Sequence, residues 1–115
     1  MPTIHVMHHS TGDNVKALLR QLCEGISEAA GITPDKVWAF WHPVDPSCAW
    51  RADWNNDGSG GPLVRIFCRR SHSREKVGRI VFATRSILAA VLGCEVSRVF
   101  VQVMRVDDEE VFSVG

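Results

Sequence analysis

From Val15 onward the apolar positions Leu18, Leu19, Leu22, Ile26, Ala29 and Ala30 recur at intervals of three and four, the spacing that lines one face of a helix. Ser10 or Thr11 is placed to cap its start, Asp13 suits the first turn, and Gly31 followed by Pro34 ends it. A second stripe, Val77, Ile80, Val81, Thr84, Leu88 and Val91, follows a capping Ser73 and Glu75 and stops at Gly93. Alternation of period two predicts strands over 2–8, 37–42, 62–69 and 98–105.

The pattern is written twice. A shift of 62 superposes Val15 on Val77, Leu18 on Ile80, Ile26 on Leu88, Gly31 on Gly93 and Val37 on Val99, and near the strand starts a shift of 60 pairs Pro2 with Pro62. Two repeats, about 1–43 and 62–105, joined by a loop over 44–61, predict one α+β domain spanning 1–115. Each half is a β-α-β unit with a right-handed crossover, giving a four-stranded mixed sheet with two helices on one face.

Alternation sorts the strand side chains. Ile4, Val6, Val37, Ala39, Val64, Ile66, Val99, Val101 and Val103 suit the face beneath the helices. The other face takes Thr3, His5, Met7, Trp38, Phe40, Leu63, Arg65, Phe67, Phe100, Gln102 and Met104, which is too apolar to stay wet. Two helices cannot cover both faces, so sheets of several copies are expected to pack together in a symmetric homo-oligomer.

Composition narrows the partners. Among 115 residues, thirteen Lys and Arg balance thirteen Asp and Glu, which gives no general attraction to nucleic acid or anionic membranes. Apolar runs such as Val99 to Met104 are far too short to span a bilayer, and no signal peptide is read at the start, so a cytoplasmic location is expected. The four cysteines are widely spaced with no CxxC pair, and reduced thiols are expected. His5, His8 and His9 do not suggest a shared metal: adjacent His8 and His9 would point to opposite faces of a strand. The run Asp107 to Glu110 reads as a solvated turn before a short terminal strand.

Chemistry concentrates at the start of the chain. Removal of Met1, expected before a small residue, would expose Pro2 as a secondary amine fixed to a strand. Ordinary α-amino groups titrate near about 7.7–8.0, and apolar walls with nearby cations would lower proline's more basic nitrogen into the range of a neutral base at physiological pH. The first strands of the two halves lie side by side and antiparallel, which brings "CRRSHS" (Cys68 to Ser73) to Pro2. Arg70, with Arg69 close behind, is then a candidate bidentate anchor for a carboxylate, and His72 is a third polar candidate. His9 is a possible rim residue, and the loop tryptophans Trp50 and Trp54, with Phe40, are candidates for an apolar wall.

In these features the sequence resembles the tautomerase superfamily. Pro2 heads the first strand, the β-α-β unit is duplicated, and "RRSHSREK" (Arg69 to Lys76) is similar to the arginine-rich turn with which that family binds a substrate carboxylate. The resemblance implies a homotrimer of doubled subunits without metal or cofactor. Catalysis would be proton transfer by Pro2 on a small unsaturated 2-oxo or 2-hydroxy carboxylic acid. Where short tautomerases carry an arginine after the first strand, this chain reads "HSTGD" (His9 to Asp13), and Trp38 stands where they place another. Gln102 occupies roughly the place of a tyrosine used by the family's dehalogenase, and Asp107 and Asp108 follow it only at a distance. Other readings are a cofactor-free hydratase, dehalogenase or decarboxylase of the same superfamily, and a non-catalytic trimeric binding protein.

Overall fold

Four strands, β1 (Thr3–His8), β2 (Trp38–Pro43), β3 (Leu63–Arg69) and β4 (Phe100–Val106), form one sheet in the order β2-β1-β3-β4. The computed structural model describes residues 2–9 and 14–107. The β1–β2 and β3–β4 pairs are parallel and the central β1–β3 pair is antiparallel, the layout the doubled pattern predicts. Helices α1 (Val15–Ala30) and α3 (Arg74–Leu92) pack side by side on one face.

The core is the predicted one. Ile4, Val6, Val64, Ile66, Leu22, Ile26, Ile80 and Leu88 are fully buried between sheet and helices. Each such side chain contributes roughly 1.5–3 kcal/mol by leaving water. Thr84, also in this layer, donates its hydroxyl to the Ile80 carbonyl at 2.7 Å, so its polar atom is not stranded.

The repeat is visible in backbone detail. Both helices end on a left-handed glycine, Gly31 at φ 69° and Gly93 at φ 68°, whose N–H groups bond the Ser27 and Ala89 carbonyls. A 3-10 turn follows each, Pro34–Lys36 and Val96–Arg98, and delivers buried Val37 and Val99 to the next strand. Ser73 caps α3 as expected, accepting from the Lys76 N–H at 3.1 Å. Asn14, at φ 61°, leads into α1, while the expected caps Ser10 and Thr11 and the first-turn Asp13 lie outside the described residues, as do Asp108 to Glu110 and the terminal strand.

The 44–61 link is more ordered than a plain loop. It holds a 3-10 turn at Pro46–Cys48 and a short helix, α2 (Ala52–Asn55), too brief to leave a helical period in the sequence. Its contacts converge on the Gly61 carbonyl, which accepts from Arg51 Nη1 at 3.0 Å and Trp54 Nε1 at 2.9 Å. The Arg51 guanidinium also lies over the Trp54 ring and pairs with Asp53. All four cysteines are free thiols.

Candidate functional site

The antiparallel register that pairs Thr3 with Phe67 carries one step further to set Pro2 beside Cys68, and the parallel register pairs Cys68 with Arg105. Pro2, Cys68 and Arg105 therefore form a row across β1, β3 and β4 at one end of the sheet. All three lie on the helix side by alternation. Pro2 is fully buried, Cys68 is 2% exposed, and the Pro2 carbonyl accepts from the Trp38 N–H at 3.2 Å.

The turn from β3 into α3 closes over this row. Arg69 is the half-buried last residue of β3; the Arg70 N–H continues the ladder to the Val106 carbonyl at 2.8 Å, and the His72 N–H bonds the Arg69 carbonyl at 3.1 Å. Arg105 reaches up from β4, donating from Nη2 to the carbonyls of Arg70 at 2.8 Å and His72 at 2.5 Å. The Arg70 guanidinium points outward and pairs with Asp107 at 2.6 Å, with its side chain 64% exposed.

Titration follows from this crowding. Burial lowers the His72 pKa from 6.5, and the amino-terminal charge, Lys76, Arg105 and Arg69 push it the same way, which favours the neutral imidazole. Burial raises the Cys68 thiol against a smaller opposing pull from Arg105 and the amino-terminal charge. This end of the sheet gathers cationic side chains around the start of the chain, with Pro2 and Cys68 buried and Arg70 exposed.

The other sequence candidates lie elsewhere on the single chain. His9 follows the far end of β1, about 20 Å from Pro2 at strand rise. Trp54 sits with it there, ring to ring at 5.6 Å, and Trp50 is 75% exposed on the link. Phe40 and Gln102 stand on the sheet face away from the helices, Phe40 stacked on His5 at 5.1 Å and Gln102 accepting from Arg65 Nε at 3.1 Å. Of the candidates, then, Pro2, Arg69, Arg70 and His72 meet at one end and the remaining five do not join them within one chain.

One histidine expectation changes and one contact is new. His8 and His9 do not splay to opposite faces: β1 ends at His8, the chain bends at His9, and the rings come within 4.4 Å. His5 finds His42, 2.8 Å away across β1 and β2, in a groove of about 450 Å³ lined also by Met7, Val44, Arg65 and Phe67. Among the described residues no three of His, Cys, Asp or Glu are grouped so as to hold a metal ion. No described helix is long and apolar enough to cross a membrane. Arg105 is the residue the sequence reading missed, although its signal was present: an arginine ends the helix-side row Val101, Val103, Arg105.

No protein-family profile and no curated protein matches the chain. Solved structures do match it. A native fused 4-OT superposes with a TM-score of 0.85 at 16% identity, covering 98% of this chain and 92% of that one. The F6 fused 4-OT wild-type asymmetric trimer gives 0.82 at 16% identity over 98% and 92%. N1, a member of the cis-3-chloroacrylic acid dehalogenase family, gives 0.75 at 16% identity over 98% and 80%. The doubled β-α-β sheet and its two helices give this chain the fold of these solved structures.

Proposed function

We propose that the chain is a keto–enol tautomerase acting on a small unsaturated 2-oxo or 2-hydroxy carboxylic acid, with Pro2 as its acid–base group once Met1 is removed. The observation that carries the reading is the meeting of Pro2 with the cationic turn of Arg69, Arg70 and His72 at one end of the sheet. In the enol-to-keto direction the neutral proline nitrogen takes the enol hydroxyl proton. The oxygen's electron pair forms the carbonyl, and the protonated proline returns the proton to the neighbouring carbon. Arginine in the turn binds the substrate carboxylate; the Arg70 guanidinium would exchange Asp107 for it.

The assembly proposed is a homotrimer. Phe100 is 55% exposed and Phe40 44% on the sheet face without helices, together with Trp38 and Met104, and burying such a face against other copies removes it from water. The trimeric state of the fused 4-OT neighbour supports the same reading. A second copy is also the only route by which His9, Trp54, Trp50, Phe40 or Gln102 would join a pocket at Pro2.

The test is the rate of phenylenolpyruvate ketonisation by wild-type protein, shown by intact mass to lack Met1, beside Pro2→Ala. Wild type is expected to accelerate the reaction, and Pro2→Ala to lose at least about 100-fold in kcat/KM, the lower end of what a positioned acid–base group supplies. Equal rates, or retained Met1, would overturn the reading.

A further inference from the structure

Arg105 makes no ion pair among the described residues, although the chain elsewhere neutralises Arg20, Arg51 and Arg70 with carboxylates. Its Nε is buried without a partner, and its bonds are to two neutral carbonyls, those of Arg70 and His72. Holding a half-buried guanidinium against carbonyls is a costly way to fix a turn when no carboxylate among the described residues contacts it. That charge lies in the Pro2–Cys68–Arg105 row, two strand spacings or about 10 Å between Cα atoms from Pro2, with a side chain long enough to shorten the gap.

We propose that Arg105 is a positioning residue of the Pro2 site, pinning the Arg69–His72 turn over the start of β1 with one forked amino group and keeping a fixed positive charge on the proline's side of the sheet. The inference rests on the reading of Pro2 as the working base, though its grip on the turn does not. A planar guanidinium can place both hydrogens of one nitrogen on two converging carbonyls, which a lysine ammonium does less selectively. The charge disfavours the protonated form of the proline nitrogen and of His72, as it does any neighbouring cation.

The other groups at this end are few. Cys68 comes from β3, Arg69, Arg70 and His72 from the turn, Lys76 and Glu75 from the first turns of α3, and Asp107, paired with Arg70, from just past β4. Glu28 lies in the last turn of α1, and Asp35 and Lys36 in the 3-10 turn before β2. Glu28, Asp35 and Glu75 are all exposed, which weakens their pull through solvent.

Two variants of the full chain separate charge from fork. Arg105→Gln keeps an amide donor but no charge, and Arg105→Lys keeps the charge but not the planar fork. Nitrogen-15 proline and histidine NMR titrations are read beside the pH profile of kcat/KM. Arg105→Gln is expected to raise both the Pro2 and His72 pKa, by about half a unit to one unit, whereas Arg105→Lys leaves both within about 0.3 unit and raises KM. Unchanged pKa values in Arg105→Gln, with only KM or Tm altered, would reduce Arg105 to a structural residue and overturn the proposal. If Pro2→Ala proves as active as wild type while His72 still shifts in Arg105→Gln, the tautomerase reading fails and the positioning role stands.

Discussion

Pro2 and Pro62 occupy equivalent places in the two halves. Each precedes a strand of the central antiparallel pair, and each offers its carbonyl to the first residue of the parallel neighbour, Trp38 at 3.2 Å and Phe100 at 3.1 Å. Their surroundings differ. Across from Pro2 stand Cys68, the arginine turn and Arg105; by the same register His8 stands across from Pro62, with His9 and Trp54 beside it. The nitrogen of Pro62 is a tertiary amide with no proton chemistry to offer, whereas that of Pro2 would be an amine under the proposed removal of Met1. The two halves share one scaffold, and the proposed removal of Met1 would give one of its two prolines an amine.

The largest stability effect expected from breaking this contrast is at Gly61, the residue that ties Pro62 into the chain. A methyl group there would overlap the backbone carbonyl of Arg98, which cannot swing aside like a side-chain tip, while the Gly61 carbonyl is already held by Arg51 and Trp54. Gly61→Ala is expected to cost about 1–3 kcal/mol in urea denaturation, the usual price of overpacking. An unchanged midpoint would mean that the link does not clamp the second half in this way.

How much of this was legible in the sequence depended on range. Alternation in Ile4, Val6, Val64 and Ile66 named the core face, and Gly31 and Gly93 named both helix ends, because each signal lies within a few residues of what it specifies. Arg105 resisted reading because its meaning depends on register: only the alignment of β3 with β4, and of β3 with β1, puts it in a row with Pro2. The His5–His42 contact joins positions 37 residues apart, and the His8–His9 contact depends on the bend of the chain at His9, just past the expected strand end. The arginine turn was found through the antiparallel pairing, but which arginine looks outward was settled by Asp107, beyond the reach of strand alternation.

A smaller effect tests the equivalence of the halves directly. Gly31 and Gly93 have nearly the same φ, and a Cβ at either would meet nothing within 4 Å, so the cost of a side chain is conformational alone. Gly31→Ala and Gly93→Ala should each lose about 1–2 kcal/mol, the penalty of a left-handed residue with a Cβ. Equal losses in parallel denaturation curves would confirm that the two helix ends are energetic as well as geometric copies. A gap larger than about 1 kcal/mol would show that one end is strained beyond its own turn.

The smallest effect is a pH dependence belonging to the Pro2 end. Burial, then the surrounding cations, holds the folded pKa of His72 below 6.5, so between that lowered value and 6.5 the unfolded chain binds a proton that the folded chain does not. Stability from neutral His72 is therefore fully present above 6.5 and is lost as pH falls through the folded value. His5, lowered by burial and by His42, adds a loss of the same sign. Thermal melts from pH 7.5 to 5 should show Tm falling with acid in wild type and falling by about 2 °C less in His72→Gln. If the two proteins lose Tm in parallel, the cationic crowding at this end does not reach His72, and the electrostatic difference between the two ends of the sheet is smaller than the turn's geometry implies.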